Sequence, residues 1–319
     1  MSKGSNTDSA AECPTSQCSK RKFDFYFASV IVAVLIWSVS FVVTKIALTT
    51  FPPFGLGLIR FALAGFLMGF YLMTRKELQK PPLRDLKKLA LSGFLGITVY
   101  FSLENLGVKY STTSDAALIV ASYPAINLLF EALFLRQKFS AKSFIGIGLA
   151  IVGVYMLISV TQYSEAIDRL FGDVLLILTG IIWACYNFIT KSVVSTYSMT
   201  TITFYQFVAG AIGFLPLSLF EIEQWSIPTT ESLAATIFLG VFCSLLAFYL
   251  YAYGLRRVPS STAVILMNLV PVVGVFFSVI ILNEALHAIQ LIGGAIIIAG
   301  VLLSIHSVKK QYKETLNDL

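Results

Sequence analysis

The chain has 319 residues, of which 57% are hydrophobic and 13% charged, with a formal net charge of +6 and a mean hydropathy of +0.81. Soluble domains carry about a quarter charged residues, so a water-soluble enzyme is excluded: it would expose more apolar surface than water tolerates. The four cysteines and the two histidines, His287 and His306, make no C-x-x-C and no Cys/His cluster, so neither a metal nor a cofactor is expected.

Residues 1–22 are rich in Ser, Thr and Lys and are expected to form a disordered cytoplasmic tail. Ten apolar stretches follow, at about 25–48, 54–73, 89–110, 114–135, 142–160, 171–191, 199–220, 231–255, 260–282 and 286–306. Each is long enough to cross a bilayer as a helix. The breaks between them carry Pro52-Pro53, the segment Arg75 to Lys88 with Pro81-Pro82, Pro228 and Pro259. The first stretch is too long for a signal-peptide core and reads as a retained helix, which suits a bacterial cytoplasmic membrane. With the N-terminus inside, 19 of the 23 Lys and Arg residues fall on the cytoplasmic side. Lys45, Lys109 and Arg169 fall outside, and Arg60 lies within the second helix. This bias places both termini in the cytoplasm of a multi-pass cell-membrane protein. The basic excess is thus a topology signal, with the lipid bilayer and no nucleic acid as partner.

The chain repeats itself. Trp37 to Lys45 reads WSVSFVVTK and Trp183 to Lys191 reads WACYNFITK, 146 residues apart, and Phe61 and Phe207 keep that offset. Gly107 and Gly254, Pro124 and Pro271, Gly146 and Gly293, and Gly153 and Gly300 are each separated by 147. The expected organisation is a first repeat over 23–160, a second over 171–306 and a short cytoplasmic tail over 307–319. The fold class is all-α and polytopic, with ten transmembrane helices as two five-helix repeats. An odd number of helices per repeat forces inverted topology, an architecture of secondary transporters with a midplane cavity between the halves.

This pattern resembles the drug/metabolite transporter superfamily, and within it the EamA-type exporters. The resemblance is carried by the two Trp...Lys segments, by ENLGVKYSTTSDAALIVASYP (Glu104 to Pro124), by YGLRRVPSSTAVILMNLVP (Tyr253 to Pro271) and by LNEALHAIQLIGGAIIIAGV (Leu282 to Val301). It implies export of small metabolites or drugs. The family's Leu-x-Glu after the fourth helix stands as Leu282-Asn283-Glu284 in the second half, whereas the first half has Leu135-Arg136-Gln137. That departure argues against an essential first-half carboxylate there.

Ionisable groups inside a membrane are costly and mark function by default. Glu104 shares a helical face with Tyr100 and Gly107; it can bind a substrate ammonium or carry a proton, or else pair structurally with Lys109 or Lys45. Glu131 lies on the face of Pro124 and Asn127, where pairing with Arg136 or Arg60 is expected. Arg60 either snorkels or clamps a carboxylate or phosphate; its neutral repeat counterpart Gln206 disfavours an anion-specific carrier. Trp37, Ser40 and Thr44 form one face, and Trp183, Asn187 and Thr190 its counterpart, as candidate walls of an amphiphile cavity. Lys45 and Lys191 are expected to snorkel. Pro124 and Pro271 are expected to kink their helices and act as hinges, with Tyr123 and Asn268 beside them as substrate-binding candidates together with Asn127. Gly146, Ala150 and Gly153, and Gly293, Ile297 and Gly300, read as packing surfaces between halves or protomers, the latter in a homodimer.

The reading that follows is a secondary exporter of small polar metabolites, amino acids or related compounds foremost. There is no G-x-x-x-x-G-K-[ST] loop for ATP, no H-E-x-x-H, no G-x-S-x-G and no paired intramembrane aspartates, so enzymatic activity is not expected. The alternatives are a proton-coupled multidrug exporter of lipophilic cations and a non-transporting membrane receptor or scaffold. Small multidrug pumps, a related group, carry a glutamate in their first helix, and Phe25 to Leu48 has none.

Overall fold

The computed structural model describes residues 15–134, 140–158, 166–258, 263 and 266–317. Arg136, Gln137, Lys138, Pro259, the first 14 residues and the ends of the fifth and ninth expected helices lie outside them. Described residues form α1 (Thr15–Ala47), α2 (Pro53–Thr74), α3 (Leu83–Tyr110), α4 (Thr113–Val120), α5 (Tyr123–Phe134) and α6 (Ala141–Ile158). They continue as α7 (Ala166–Lys191), α8 (Met199–Leu219), α9 (Thr230–Gly254), α10 (Leu269–Leu282) and α11 (Ala288–Asn317). No strand occurs among them. Two expected limits move: α1 starts at Thr15, inside the segment expected to be disordered, and α11 runs on into the terminal tail.

Seven of these helices are long and apolar enough to cross a membrane. The chain is therefore an all-helical, multi-pass membrane protein. The pair α4 and α5 qualifies together but is bent by 42° at its break, and α6 and α10 are shorter apolar helices. The bend sits where Pro124 removes the amide that would bond to Val120, so the chain turns through Ala121 and Ser122. Ser122 then accepts from both Ala125 and Ile126 through its carbonyl. In the other half the chain turns at Asn268, three residues before Pro271.

Helix limits follow local chemistry. Pro52 and Pro53 open α2 with a preset backbone. The side chains of Thr112, Ser198 and Thr229 cap α4, α8 and α9 by accepting from Asp115, Thr201 and Ser232 amides. Asn283 closes α10 in the left-handed region (φ 53°, ψ 34°), which asparagine tolerates. Inside α3 and α9 the ladder widens to π-helix over Phe94–Val99 and Leu239–Leu246. These two stretches are equivalent in the repeat. Such widening redirects side chains and often marks functional positions.

The core is the seam between the two repeats. Helix α1 packs on α9 and α10, α2 on α8 and α9, α3 on α7 and α8, and α4 on α10. At its centre Phe61 and Phe207, repeat equivalents, meet with ring centroids 5.5 Å apart and planes tilted by 48°. Phe61 meets Phe101 at 4.6 Å and Phe207 meets Phe248 at 5.7 Å, the same contact made once in each half.

The most extensive pairing joins α6 to α11. The two small-residue stripes meet there, so they pack half against half. A Cβ on Gly146 would stand 2.4 Å from the Gly300 carbonyl, and one on Gly153 would stand 2.6 Å from the Gly293 carbonyl. These are backbone atoms that cannot move aside. Gly146→Ala is accordingly expected to destabilise the protein by about 1–3 kcal/mol through overpacking. Thermal unfolding of the detergent-solubilised variant checks this against Gly148→Ala, whose added methyl meets nothing within 4 Å.

Candidate functional site

Two clusters of buried polar groups lie between the halves. The first surrounds Glu104, which is 6% exposed on α3. Its electrostatic neighbours are Tyr100, one turn earlier on the same face, and Arg60 of α2. Arg60 is 3% exposed. Its Nε donates to Ser244 Oγ at 2.8 Å, and its guanidinium carbon lies 4.5 Å from the Phe101 ring centroid and 5.1 Å from that of Phe61. The expected pairing of Glu104 with Lys109 or Lys45 is not made, and Arg60 does not pair with Glu131, whose carboxylate instead accepts from Asn127 at 3.3 Å. Arg60 sits near the start of α2 and Glu131 at the end of α5, so they occupy opposite ends of the bundle.

Both tryptophans face the opposite half. Trp37 meets Phe248 and Tyr251 at 5.2 Å, and its indole N–H donates to the Cys243 carbonyl at 3.0 Å within the π-helical stretch of α9. That bond is available because the widened ladder releases carbonyls. Trp183 meets Tyr100 at 5.7 Å and Tyr186 at 5.0 Å. Trp183 thus packs on Tyr100, the neighbour of Glu104, and Trp37 packs on Tyr251, the repeat equivalent of Glu104.

The remaining sequence candidates are placed more structurally. The Tyr123 hydroxyl donates to the Leu176 carbonyl at 2.9 Å and bonds to Thr179, while its ring edge meets Tyr100. Ser40 Oγ donates to the Trp37 carbonyl at 2.7 Å. Asn187 is half-buried on α7, and Asn268 stands at the turn before α10. Gln206, the counterpart of Arg60, is fully engaged. Its amide donates to Ser92 and Thr190, and its carbonyl accepts from Tyr186.

The second cluster closes the end of the bundle that carries Lys45. Lys45 does not snorkel: Nζ donates to the carbonyls of Val108, Lys109 and Ser111 at 2.7, 3.1 and 2.7 Å, satisfying the C-terminus of α3. Its equivalent Lys191 is exposed. Glu284 caps α4 from the other half, one oxygen accepting from Thr113 N and Oγ1, the other from Ser114 N and Oγ. The αL turn at Asn283 aims it there, which gives Leu282-Asn283-Glu284 a physical reason. Glu221 similarly accepts from Phe54 and Gly55 amides at the start of α2.

Sequence reading found no paired aspartates within the membrane, but the fold makes a pair. Asp115 and Asp173 are both fully buried and lie within electrostatic range of each other. Asp115 binds Arg169 at 2.5 Å and accepts from Gln290 at 2.7 Å, and Asp173 accepts from Ser111. One positive charge, on Arg169, and two further donors, Gln290 and Ser111, hold the two carboxylates as a clasp. No sequence signal marks it, because its members come from four segments.

Comparison with known proteins agrees with this architecture. The model of the EamA-like transporter family matches residues 25–159 and again 170–306. A protein of Archaeoglobus fulgidus named as an uncharacterized transporter is 30% identical over 276 residues, covering 85% of this chain and 93% of that one. A relative from Streptantibioticus cattleyicolor, named a probable terminal-alkyne amino-acid exporter, is 24% identical over 275 residues, covering 86% and 91%. One crystal structure shares the fold with a TM-score of 0.62 at 19% identity, covering 88% of this chain and 96% of the other. The chain is a non-enzymatic membrane transport protein and belongs to the EamA-like transporter family.

Proposed function

We propose that this chain is a secondary exporter of small polar metabolites, amino acids or related compounds foremost, working by alternating access of two inverted five-helix repeats. Counting the bent pair once and the two shorter apolar helices as spans gives ten crossings. With ten crossings both termini lie in the cytoplasm, in keeping with the Lys/Arg bias, and the Lys45 end is the outer face. The observation that carries the reading is the buried Glu104 at the seam between the halves, beside Tyr100, on which Trp183 of the other half packs. A carboxylate so placed pairs with a substrate ammonium or holds a proton, and it does one at the expense of the other. Exchange of proton for substrate at one group couples the two without any further part. The amino-acid class is further supported by the exporter relative from S. cattleyicolor.

The test is counterflow in liposomes containing the purified protein, using a panel of labelled amino acids. Counterflow needs no driving force, so the coupling ion does not enter. Saturable exchange of at least one amino acid is the expected result. Exchange restricted to lipophilic cations would replace this reading with multidrug export, and no exchange of any compound would favour a receptor or scaffold.

A further inference from the structure

Arg60 is built to meet an anion that the chain does not provide. Its Nε is fixed by Ser244 at 2.8 Å, and its flat face rests against the ring of Phe101, with Phe61 beside it. These contacts leave the edge of the guanidinium, and Nη1, although buried, has no hydrogen-bond acceptor among the described residues. Glu104 is an electrostatic neighbour, yet no ion pair joins the two. A structural pair would close. Two opposite charges buried near each other but unjoined incur the desolvation cost of both without the contact that offsets it.

We propose that Arg60 anchors the carboxylate of the transported molecule, while Glu104 receives its ammonium. The inference rests on the transport function proposed above and identifies the group that selects the substrate's acidic end. Arginine suits the task because its fork matches a carboxylate with two parallel hydrogen bonds and it stays charged when dry. The repeat explains why the site takes one carboxylate and one ammonium. The counterpart of Arg60 is Gln206, whose polar atoms are already engaged, and the counterpart of Glu104 is Tyr251. Among the described residues the cluster around Glu104 therefore holds one cationic and one anionic group, which is the complement of a zwitterion. A carrier of simple amines would have no use for the arginine. Ser244 belongs to the second half and Arg60 to the first, so the anchor keeps its orientation only while α2 and α9 stay in register.

The experiment compares wild type, Arg60→Gln, Arg60→Lys and Ser244→Ala in liposome counterflow. The substrates are labelled amino acids, their decarboxylated amines and the matching carboxylic acids without an amino group. Arg60→Gln is expected to raise the KM for amino acids about tenfold or more and to abolish their preference over the amines. Arg60→Lys keeps the charge without the fork and falls between, and Ser244→Ala gives a smaller rise in KM. Unchanged KM and unchanged preference in Arg60→Gln overturn the proposal. If that variant does not yield folded protein, unchanged values in both Arg60→Lys and Ser244→Ala overturn it instead. Wild-type exchange of acids but not amino acids removes the amino-acid reading and leaves the anchor standing. Wild-type exchange of amines alone, or of nothing in the panel, overturns both.

Discussion

Glu104→Gln is expected to lose proton-driven uptake altogether and to exchange amino acids with a KM raised about ten- to hundredfold. The range follows from losing one charge-assisted hydrogen bond, about 1.5–3 kcal/mol, at about 1.4 kcal/mol per tenfold. Glutamine keeps the size of the side chain and one acceptor oxygen, so packing against Tyr100 is retained while the charge and the titration are removed. The readout separates two roles. Loss of the response to a pH gradient with exchange intact would make Glu104 a proton site alone. Loss of exchange with the pH response of the residual flux intact would make it a substrate site alone. Both roles are expected together, since Arg60 and Tyr100 are its electrostatic neighbours and no lysine forms an ion pair with it among the described residues. A variant with wild-type KM and a wild-type pH response would show that the carboxylate is structural.

What the sequence made legible was whatever repeats or whatever is unusual for a membrane. The offset of 146 to 147 residues located the two halves, and the structure shows that some of the equivalent residues meet. Phe61 and Phe207, and the glycines of α6 and α11, face each other because equivalent residues of two related halves converge at their shared seam. Glu104 stood out because a carboxylate in an apolar run has no local reason to be there. What stayed hidden depends on which helices lie side by side. Arg60 and Ser244 are 184 residues apart, and nothing in the vicinity of either names the other. The two π-helical stretches carry no distinctive pattern, since a widened turn in an apolar helix changes the ladder and not the composition. Lys45 was misread for a related reason. A lysine at a helix end normally reaches for water, but here three carbonyls at the end of α3 lie within hydrogen-bonding reach.

The second large effect is expected at Glu284. Its two oxygens each accept a backbone amide and a hydroxyl from the start of α4, so the side chain is used as a carboxylate on both sides. Glu284→Gln replaces one acceptor with an NH2 group that faces donors, leaving the Thr113 or the Ser114 pair unmet. Each buried unmet group costs about 1–3 kcal/mol, and the amides concerned are at a helix N-terminus, where a negative charge adds to the stabilisation. Glu284→Gln is therefore expected to lower stability by about 2–4 kcal/mol, read as a fall in the thermal midpoint of the solubilised protein. Glu221 is the control. Both of its bonds, from Phe54 and Gly55, go to the same oxygen, which glutamine supplies equally well. Burial holds the Glu221 carboxyl above the usual carboxylate range, against the pull of those two amides. Its ionised form thus costs the folded state, and its contribution to stability declines as pH rises through its folded-state value. Glu221→Gln should leave stability within about 1 kcal/mol of wild type and remove that pH dependence. Equal losses in the two glutamine variants would mean that charge alone, and not the count of accepting oxygens, holds this end of the bundle together. A larger loss at Glu284 would identify its double cap, with both oxygens used, as the stronger of the two carboxylate caps, the one that ties α4 to the end of α10.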